Sequence, residues 1–233
     1  MQTTKATVRQ AEQVLAELQN QAADKGHSLI ETLQTFLPRA QQVLDQTVRR
    51  VFSDEKVPVA EKLVSIFEPH TDIIRRGKPN KETEFGHKVW LAEVEGGFIA
   101  QYRVLNGNPA DESQWQPVLE EHVQLFGRPP RQASADRGVH SSANEDFATK
   151  LGVKRIVLPK PGRKSETRRQ HERQRWFSRG RRFHAGVEGR ISVIKRKYGL
   201  ARCRNRGQDG FECWVGWGVI ANNLTAMAKG LSP

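Results

Sequence analysis

The chain has 233 residues, 36% of them hydrophobic, a mean hydropathy of −0.67 and a formal charge of +12; this is enough apolar material for one large domain, or a domain with a helical appendage. No run of about 18 apolar residues is present, which argues against a membrane-spanning helix, and the start, MQTTKAT, lacks the apolar stretch of a secretory signal. The two cysteines, Cys203 and Cys213, form no CxxC or Cys/His cluster, which argues against a disulfide framework or a structural zinc site and sets the expectation of a reducing, cytoplasmic location.

The first 65 or so residues have helical periodicity. Val8, Ala11, Leu15 and Leu18 fall three and four apart, as do Leu44, Val48 and Val51. Gly26 breaks the first stripe, Ser28 with Glu31 three residues on has the form of an N-terminal capping box, and Pro38 and Pro58 are expected to interrupt or end later helices. From about residue 85 the pattern changes. HKVWLAEV and GFIAQYRVL, separated around Gly96-Gly97, predict a β-hairpin. A loop (NGNPADES), a helix around PVLEEHVQLFG ending at Gly127, a short strand RQASAD, a helix over SSANEDFATKLG and a strand KRIVLPK follow. Strand, strand, helix, strand, helix, strand is an α/β order. A helix from about Arg182 to Lys197 and an apolar helix over FECWVGWGVIANNLTAMAK complete the chain.

The charge is concentrated. Between Lys154 and Arg206 lie 19 Lys/Arg and three acids, Glu166, Glu172 and Glu188, a net +16 in 53 residues. The rest of the chain is slightly acidic. Such a block is the electrostatic footprint of a polyanion partner, although a charge run is also often a solvated linker. Trp176, Phe177, Phe183 and Tyr198 interleave with the cations, which a plain solubilising segment would not need, so nucleic acid is the expected partner. Arg168, Arg169, Arg173, Arg175, Arg181 and Arg182 are the candidate DNA contacts.

Two carboxylates could carry chemistry. Asp136 closes the small-residue strand RQASAD, and functional groups of an open α/β sheet gather beyond the carboxyl ends of its strands; an aspartate before Arg-Gly is equally the start of an ordinary turn. Glu188 is the sole acid between Arg173 and Asp209. It shares a helical face with His184 and Lys195, beside the apolar stripe Phe183, Val187, Ile191, Ile194. It could be a surface ion-pair partner, or it could point at the strand ends. Together, Asp136 and Glu188 would make a hard-oxygen site for Mg²⁺ or Mn²⁺, the kind that activates an attacking oxygen and stabilises a leaving one at a phosphodiester, with two ions about 4 Å apart. The expectation is that both carboxylates reach a shared ion.

The linked segments ADRGVHS, GVKRIVLPKPG, FHAGVEGRISVIKRKYGL, RCRNRG and GFECWVGWGVIANNL, with FEPHTDIIRRGKP and EFGHKVWLAEVEGG upstream, resemble bacterial insertion-sequence transposases of the DDE superfamily, over roughly residues 60–233. The resemblance implies an α/β, RNase H-like core with flanking helices. It makes Asp136 the second metal-binding aspartate and Glu188 the glutamate of the triad, and gives His184, Lys195 and Arg202 a part in positioning DNA ends. In that family the first catalytic aspartate lies on the first core strand, ahead of the helical segment and hairpin. Here Asp24, Asp45, Asp54 and Asp72 precede the hairpin, and none closes an apolar strand. Asp45 comes nearest but falls within a helical stripe. The expectation is therefore a fragment: a helical segment over 1–65 and a catalytic core over 66–233 lacking its first strand. Were an internal aspartate to serve instead, Asp72 and Asp111 would be the first to test.

The implied function is metal-dependent cleavage and transfer of DNA strands at insertion-sequence ends. The alternative is a catalytically inactive DNA-binding remnant that interferes with the full-length enzyme. Double-stranded DNA is the expected partner, with a homo-oligomer or full-length transposase as protein partner and no membrane. An RNA-binding reading finds no RNP-like or KH-like motif to support it.

Overall fold

The computed structural model describes residues 1–20, 27–75 and 83–231. Its backbone divides into two units, Met1–Gly86 and His87–Pro233, and each is described by itself. The whole is a mixed α/β protein with helices at its N-terminus, and its sheets are small: three two-stranded sheets among the described residues.

In the first unit, α1 (Gln2–Asn20) packs against α2 (His27–Thr47). The predicted stripe of α1 is the face that packs: Val8 is buried, and Ala11, Leu15 and Leu18 are half-buried. Gly26 lies outside the described residues. Ser28 sits inside α2 rather than capping it, because the helix already runs at His27. Pro38 does not end α2. Its ring denies an N–H to the Gln34 carbonyl, but both residues are exposed, so water can serve the orphaned oxygen. Val48–Phe52 winds as a π-helical turn, which shifts the side-chain register and leaves Val51 and Phe52 exposed instead of continuing the Leu44 stripe. Pro58 precedes a single 3₁₀ turn, Val59–Glu61. The irregular segment that follows is held onto α2 by side chains. Gln46 accepts from the Leu63 N–H and donates to its carbonyl, both at 2.9 Å, and Arg39 donates to the Ile66 carbonyl at 2.8 Å. β1 (Asp72–Arg75) and β2 (Thr83–Gly86) pair antiparallel; this short pair carries too few apolar residues to stand out in the sequence.

The second unit follows the predicted order. β3 (Lys88–Val94) and β4 (Phe98–Leu105) form the antiparallel hairpin, with a register shift at Ala92/Glu93. Gly96 and Gly97 both adopt positive φ, and a Cβ on Gly97 would fall 2.5 Å from an Arg190 guanidinium nitrogen. The positive φ at both positions favours glycine there. α3 (Trp115–Phe126) ends on left-handed Gly127. β5 (Gln132–Ser134) and β6 (Arg155–Val157) pair parallel, joined through α4 (Ser142–Leu151), whose N-cap Ser141 accepts from the Asn144 N–H. Trp115, Leu119, Ala135, Val139, Ala148, Val153 and Leu158 form one buried cluster, and Ile99, Ile194 and Val219 another.

α5 (Glu166–Arg173), α6 (Arg175–Lys197) and α7 (Gly207–Leu231) complete the unit. α6 starts seven residues earlier than its sequence suggests, and its packing face differs at that end. Phe183 is exposed, whereas Phe177 and Gly180 are buried and Val187, Ile191 and Ile194 continue the face. The reason is steric. Gly180 lies over β5 and β6, where a Cβ would sit 2.6 Å from Val157 Cγ2 and 3.2 Å from Gln132 Nε2. No residue with a side chain could let the helix this close, so the face turns onto its glycine.

This close approach makes a prediction. Gly180→Ala, which would gain about 1 kcal/mol of helix propensity on an open helix, should instead destabilise the protein, because Val157 is β-branched and buried and overpacking costs about 1–3 kcal/mol. In a Val157→Ala background the same substitution should become neutral or stabilising. Denaturant unfolding of the four-member cycle measures this coupling.

Candidate DNA-processing site

The Asp136 end of β5 is built around one buried amide. Asn144, at the start of α4, donates through Nδ2 to the carbonyls of Glu112 and Val139, both at 2.9 Å, and its Oδ1 accepts from Gln116 Nε2 at 3.2 Å. Trp115 Nε1 donates to the Asn144 backbone carbonyl at 3.1 Å. Three segments are thereby tied together: the 3₁₀ turn Asp111–Gln114, the 3₁₀ turn Arg137–Val139 and α4. Asp136 caps the second of these turns, its Oδ1 accepting from the Arg137 N–H at 2.5 Å, and it is exposed. Both sequence readings of Asp136 are thus compatible with its place: it opens a turn, and one of its carboxylate oxygens remains available to solvent. Asp111 lies beside this turn, its Oδ2 3.5 Å from where a Cβ on Gly138 would be. It is already neutralised by Lys88 Nζ at 2.6 Å, and Lys88 also donates to the Pro109 carbonyl. Asp72 belongs to β1 of the first unit.

Glu188 is exposed on α6, on the same face as half-buried His184 and exposed Lys195. The rotation of that helix is set two residues on, where Arg190 Nε meets the largely buried Glu93 carboxylate of β3 at 2.8 Å. The two acids have separate anchors. The Asp136 turn is tied towards Lys88, at the start of β3, and α6 is tied to Glu93, five residues further along. Among the described residues, no group of three or more His, Cys, Asp and Glu side chains converges to hold a metal. Carboxylate oxygens are the right donors for a divalent ion, and Asp136 and Glu188 are both exposed.

The cationic block divides into cations used inside the protein and cations that face out. Arg168 is withdrawn from the surface: it pairs with Glu172 at 2.9 Å and Glu145 at 2.8 Å and donates to the Leu158 carbonyl at 2.5 Å. Glu172 is buried, receiving Lys164 Nζ at 2.5 Å and the Lys160 N–H at 3.0 Å as well. Burial would push this carboxyl up, but Lys164, the Lys160 amide and Arg168 together outweigh it and hold the group at about 2. Arg168, expected to contact DNA, is instead the hub joining α5, α4 and the loop after β6. Arg169 is exposed and shares its charge with Glu166 at 3.2 Å. Arg173, Arg175, Arg181, Arg182 and Arg202 are exposed and make no ion pair among the described residues.

The interleaved aromatics serve packing rather than an outward face. Phe177 is fully buried, and His171, Trp176 and Phe177 meet edge to face with centroids 5.3–5.6 Å apart at the α5–α6 joint. Tyr198 donates to Thr225 Oγ1 at 2.8 Å. Only Phe183 of the four is exposed. What sequence reasoning missed here is Asn144 and the Glu93–Arg190 pair. An asparagine in the first turn of a helix has no periodic signature, and the ion pair joins residues 97 positions apart.

Among the described residues, no helix is long and apolar enough to cross a membrane.

Asn144 and Glu172 can each be tested by unfolding. Asn144→Ala leaves the buried Val139 carbonyl and the part-buried Glu112 carbonyl without these donors and should cost about 1–3 kcal/mol in urea unfolding. Asn144→Asp should cost at least as much at neutral pH, where a carboxylate would face those carbonyls, and should partly recover on acidification as the group regains a donor. For Glu172, the folded-state pKa lies below the ordinary 4.5. Its stabilising contribution is therefore present above about pH 4.5 and lost as pH falls towards 2. Glu172→Gln should lower stability at neutral pH and flatten the acid limb of the stability–pH curve over that window.

Compared with known proteins, the chain matches the family model described as Transposase DDE domain over residues 42–224. No curated protein and no solved structure matches it.

Proposed function

Because the chain belongs to the Transposase DDE domain family, we propose that it acts on duplex DNA at the ends of an insertion sequence, through a backbone-binding surface on α5, α6 and the turn after α6. The supporting observation is the set of exposed arginines Arg173, Arg175, Arg181, Arg182 and Arg202, which make no ion pair among the described residues. Arg175, Arg181 and Arg182 are carried by α6, which packs on β6 and on β5, the strand leading to Asp136, while Arg173 ends α5, which packs on α6, and Arg202 lies in the turn after α6. Guanidinium groups suit phosphate oxygens geometrically, and a row of them holds a duplex without reading its sequence. Arg169, His184 and Lys195 extend this surface.

In the same reading, the core is RNase H-like, and Asp136 and Glu188 are the carboxylates this chain brings to strand cleavage and transfer. A divalent ion, when bound at such acids, polarises the phosphodiester. Asp136 is presented at a strand end by the Asn144 knot, and Glu188 by a helix whose rotation Arg190 fixes. A second reading, DNA binding without cleavage, is favoured by one observation: among the described residues these acids do not converge with a third metal-binding group. A chain of this kind would occupy DNA ends in competition with an active transposase.

One measurement tests the binding surface that both readings share, and a second separates them. Replacing Arg173, Arg175, Arg181 and Arg182 together with alanine should weaken duplex binding and lower the slope of log K against log salt by about 0.9 for each phosphate no longer neutralised. An unchanged slope would remove the binding surface from this segment. Nicking of a labelled terminal-repeat duplex in Mg²⁺ or Mn²⁺, abolished by Glu188→Gln or Asp136→Asn with binding intact, would establish cleavage. Binding without nicking would leave the second reading standing.

A further inference from the structure

α7 has two faces of different character. Its inner face lies on the second unit: Val215 and Val219 are buried, Asn222 Nδ2 donates to the Gly97 carbonyl at 3.1 Å, and Asn223 bonds both the N–H and the carbonyl of Ile99 at 2.9 Å. The outer face should then be polar, as on an ordinary surface helix. It is not. Trp217 is 66% exposed, Ile220 48%, Leu224 60% and Met227 52%, with Cys213 exposed one turn before them. The spacing is 4, 3, 4, 3, the alternation of a two-helix seam.

We propose that this seam pairs α7 with α7 of a second copy of the chain, antiparallel, forming a closed two-fold dimer. Three observations select a second copy. The 3–4 spacing is self-complementary, so that Ile220 of one helix meets Leu224 of the other and Trp217 meets Met227. Residues 213–228 contain no charged side chain. In a chain of +12 this is therefore a face where two copies meet without bringing cations together. Charge of opposite sign brackets the seam: Asp209 and Glu212 lie at its start and Lys229 at its end, all exposed. Antiparallel pairing brings the Lys229 end of each copy beside the Glu212 end of the other, and it also opposes the helix dipoles favourably.

The area comes close to what a specific interface needs. Taking roughly 200 Å² for a fully exposed large side chain, the four seam residues supply roughly 450 Å² per copy. The pair thus buries about 900 Å² before flanking atoms are added, near the threshold of about 1,000 Å² for a specific interface. A two-fold contact uses the same patch on both copies and so leaves no apolar surface open.

Sedimentation of the full chain without DNA tests the pairing. The wild type should be a reversible dimer, and Ile220→Glu/Leu224→Glu should weaken it at least tenfold while leaving the far-ultraviolet circular dichroism unchanged, because these residues lie on the outer face. Trp217→Glu alone, a second variant at a different point of the seam, should act in the same direction. A wild type that stays monomeric, aggregates without a closed species, dimerises only when DNA is added, or keeps its affinity in the variants would overturn the proposal. Orientation has its own readout. In a Cys203→Ser chain, antiparallel helices keep the two Cys213 thiols apart, so oxidation should not cross-link the dimer. A Cys213–Cys213 disulfide in the dimer would overturn the antiparallel order.

Discussion

Asn144 is a buried amide whose side-chain nitrogen and oxygen both have partners. Its Nδ2 hydrogens are divided between two carbonyls from different segments, those of Glu112 and Val139. Neither segment has a regular ladder to satisfy those oxygens. The turns Asp111–Gln114 and Arg137–Val139 can therefore be irregular and still be held beside buried Trp115, which closes the arrangement through its indole N–H. Asp136 needs this. A strand of three residues cannot by itself aim the aspartate that follows it, and the knot supplies the missing rigidity from the far side of the turn.

The basic block has a similar division of labour. A segment of +16 would repel itself if all its charge were alike in use. Arg168 and Lys164 are set against buried Glu172, and Arg190 against Glu93. These internal pairs weld α5 and α6 to α4 and to the hairpin. The outward-facing arginines stand on the scaffold so made and not on an unsupported linker. Buried ion pairs contribute little net stability against their desolvation cost, but removing one partner strands the other, and this enforces the geometry.

How much of this is legible in the sequence differs by feature. The order of strands and helices from His87 to β6 is readable because each element has its own period and each boundary a glycine or an N-cap, Gly96-Gly97, Gly127 and Ser141, whereas α5, lying in the charged block without an apolar stripe, is not. The first unit is less so. A π-helical turn and a proline tolerated inside α2 both break the simple helical count, and the pair β1–β2 is too short for a period to emerge. At the candidate site, Asp136 and Glu188 are visible as lone acids in telling positions. Their distance from one another is a tertiary fact, and no local pattern encodes it. The aromatic residues of the basic block show the limit most clearly. A plain solubilising segment would not need them, and Phe177 is taken by packing where Gly180 draws α6 down onto the sheet, Tyr198 by its bond to Thr225 of α7.

Asn223 takes a role usually held by a neighbouring strand. Its amide meets both the N–H and the carbonyl of Ile99, the pair of bonds one backbone residue would offer across a ladder. The exchangeable proton of Ile99 is thereby held by a side chain of α7 and not by the hairpin. Its replacement by deuterium must wait for α7 to lift away, so that one amide of β4 keeps time with the undocking of a helix 124 residues distant in sequence.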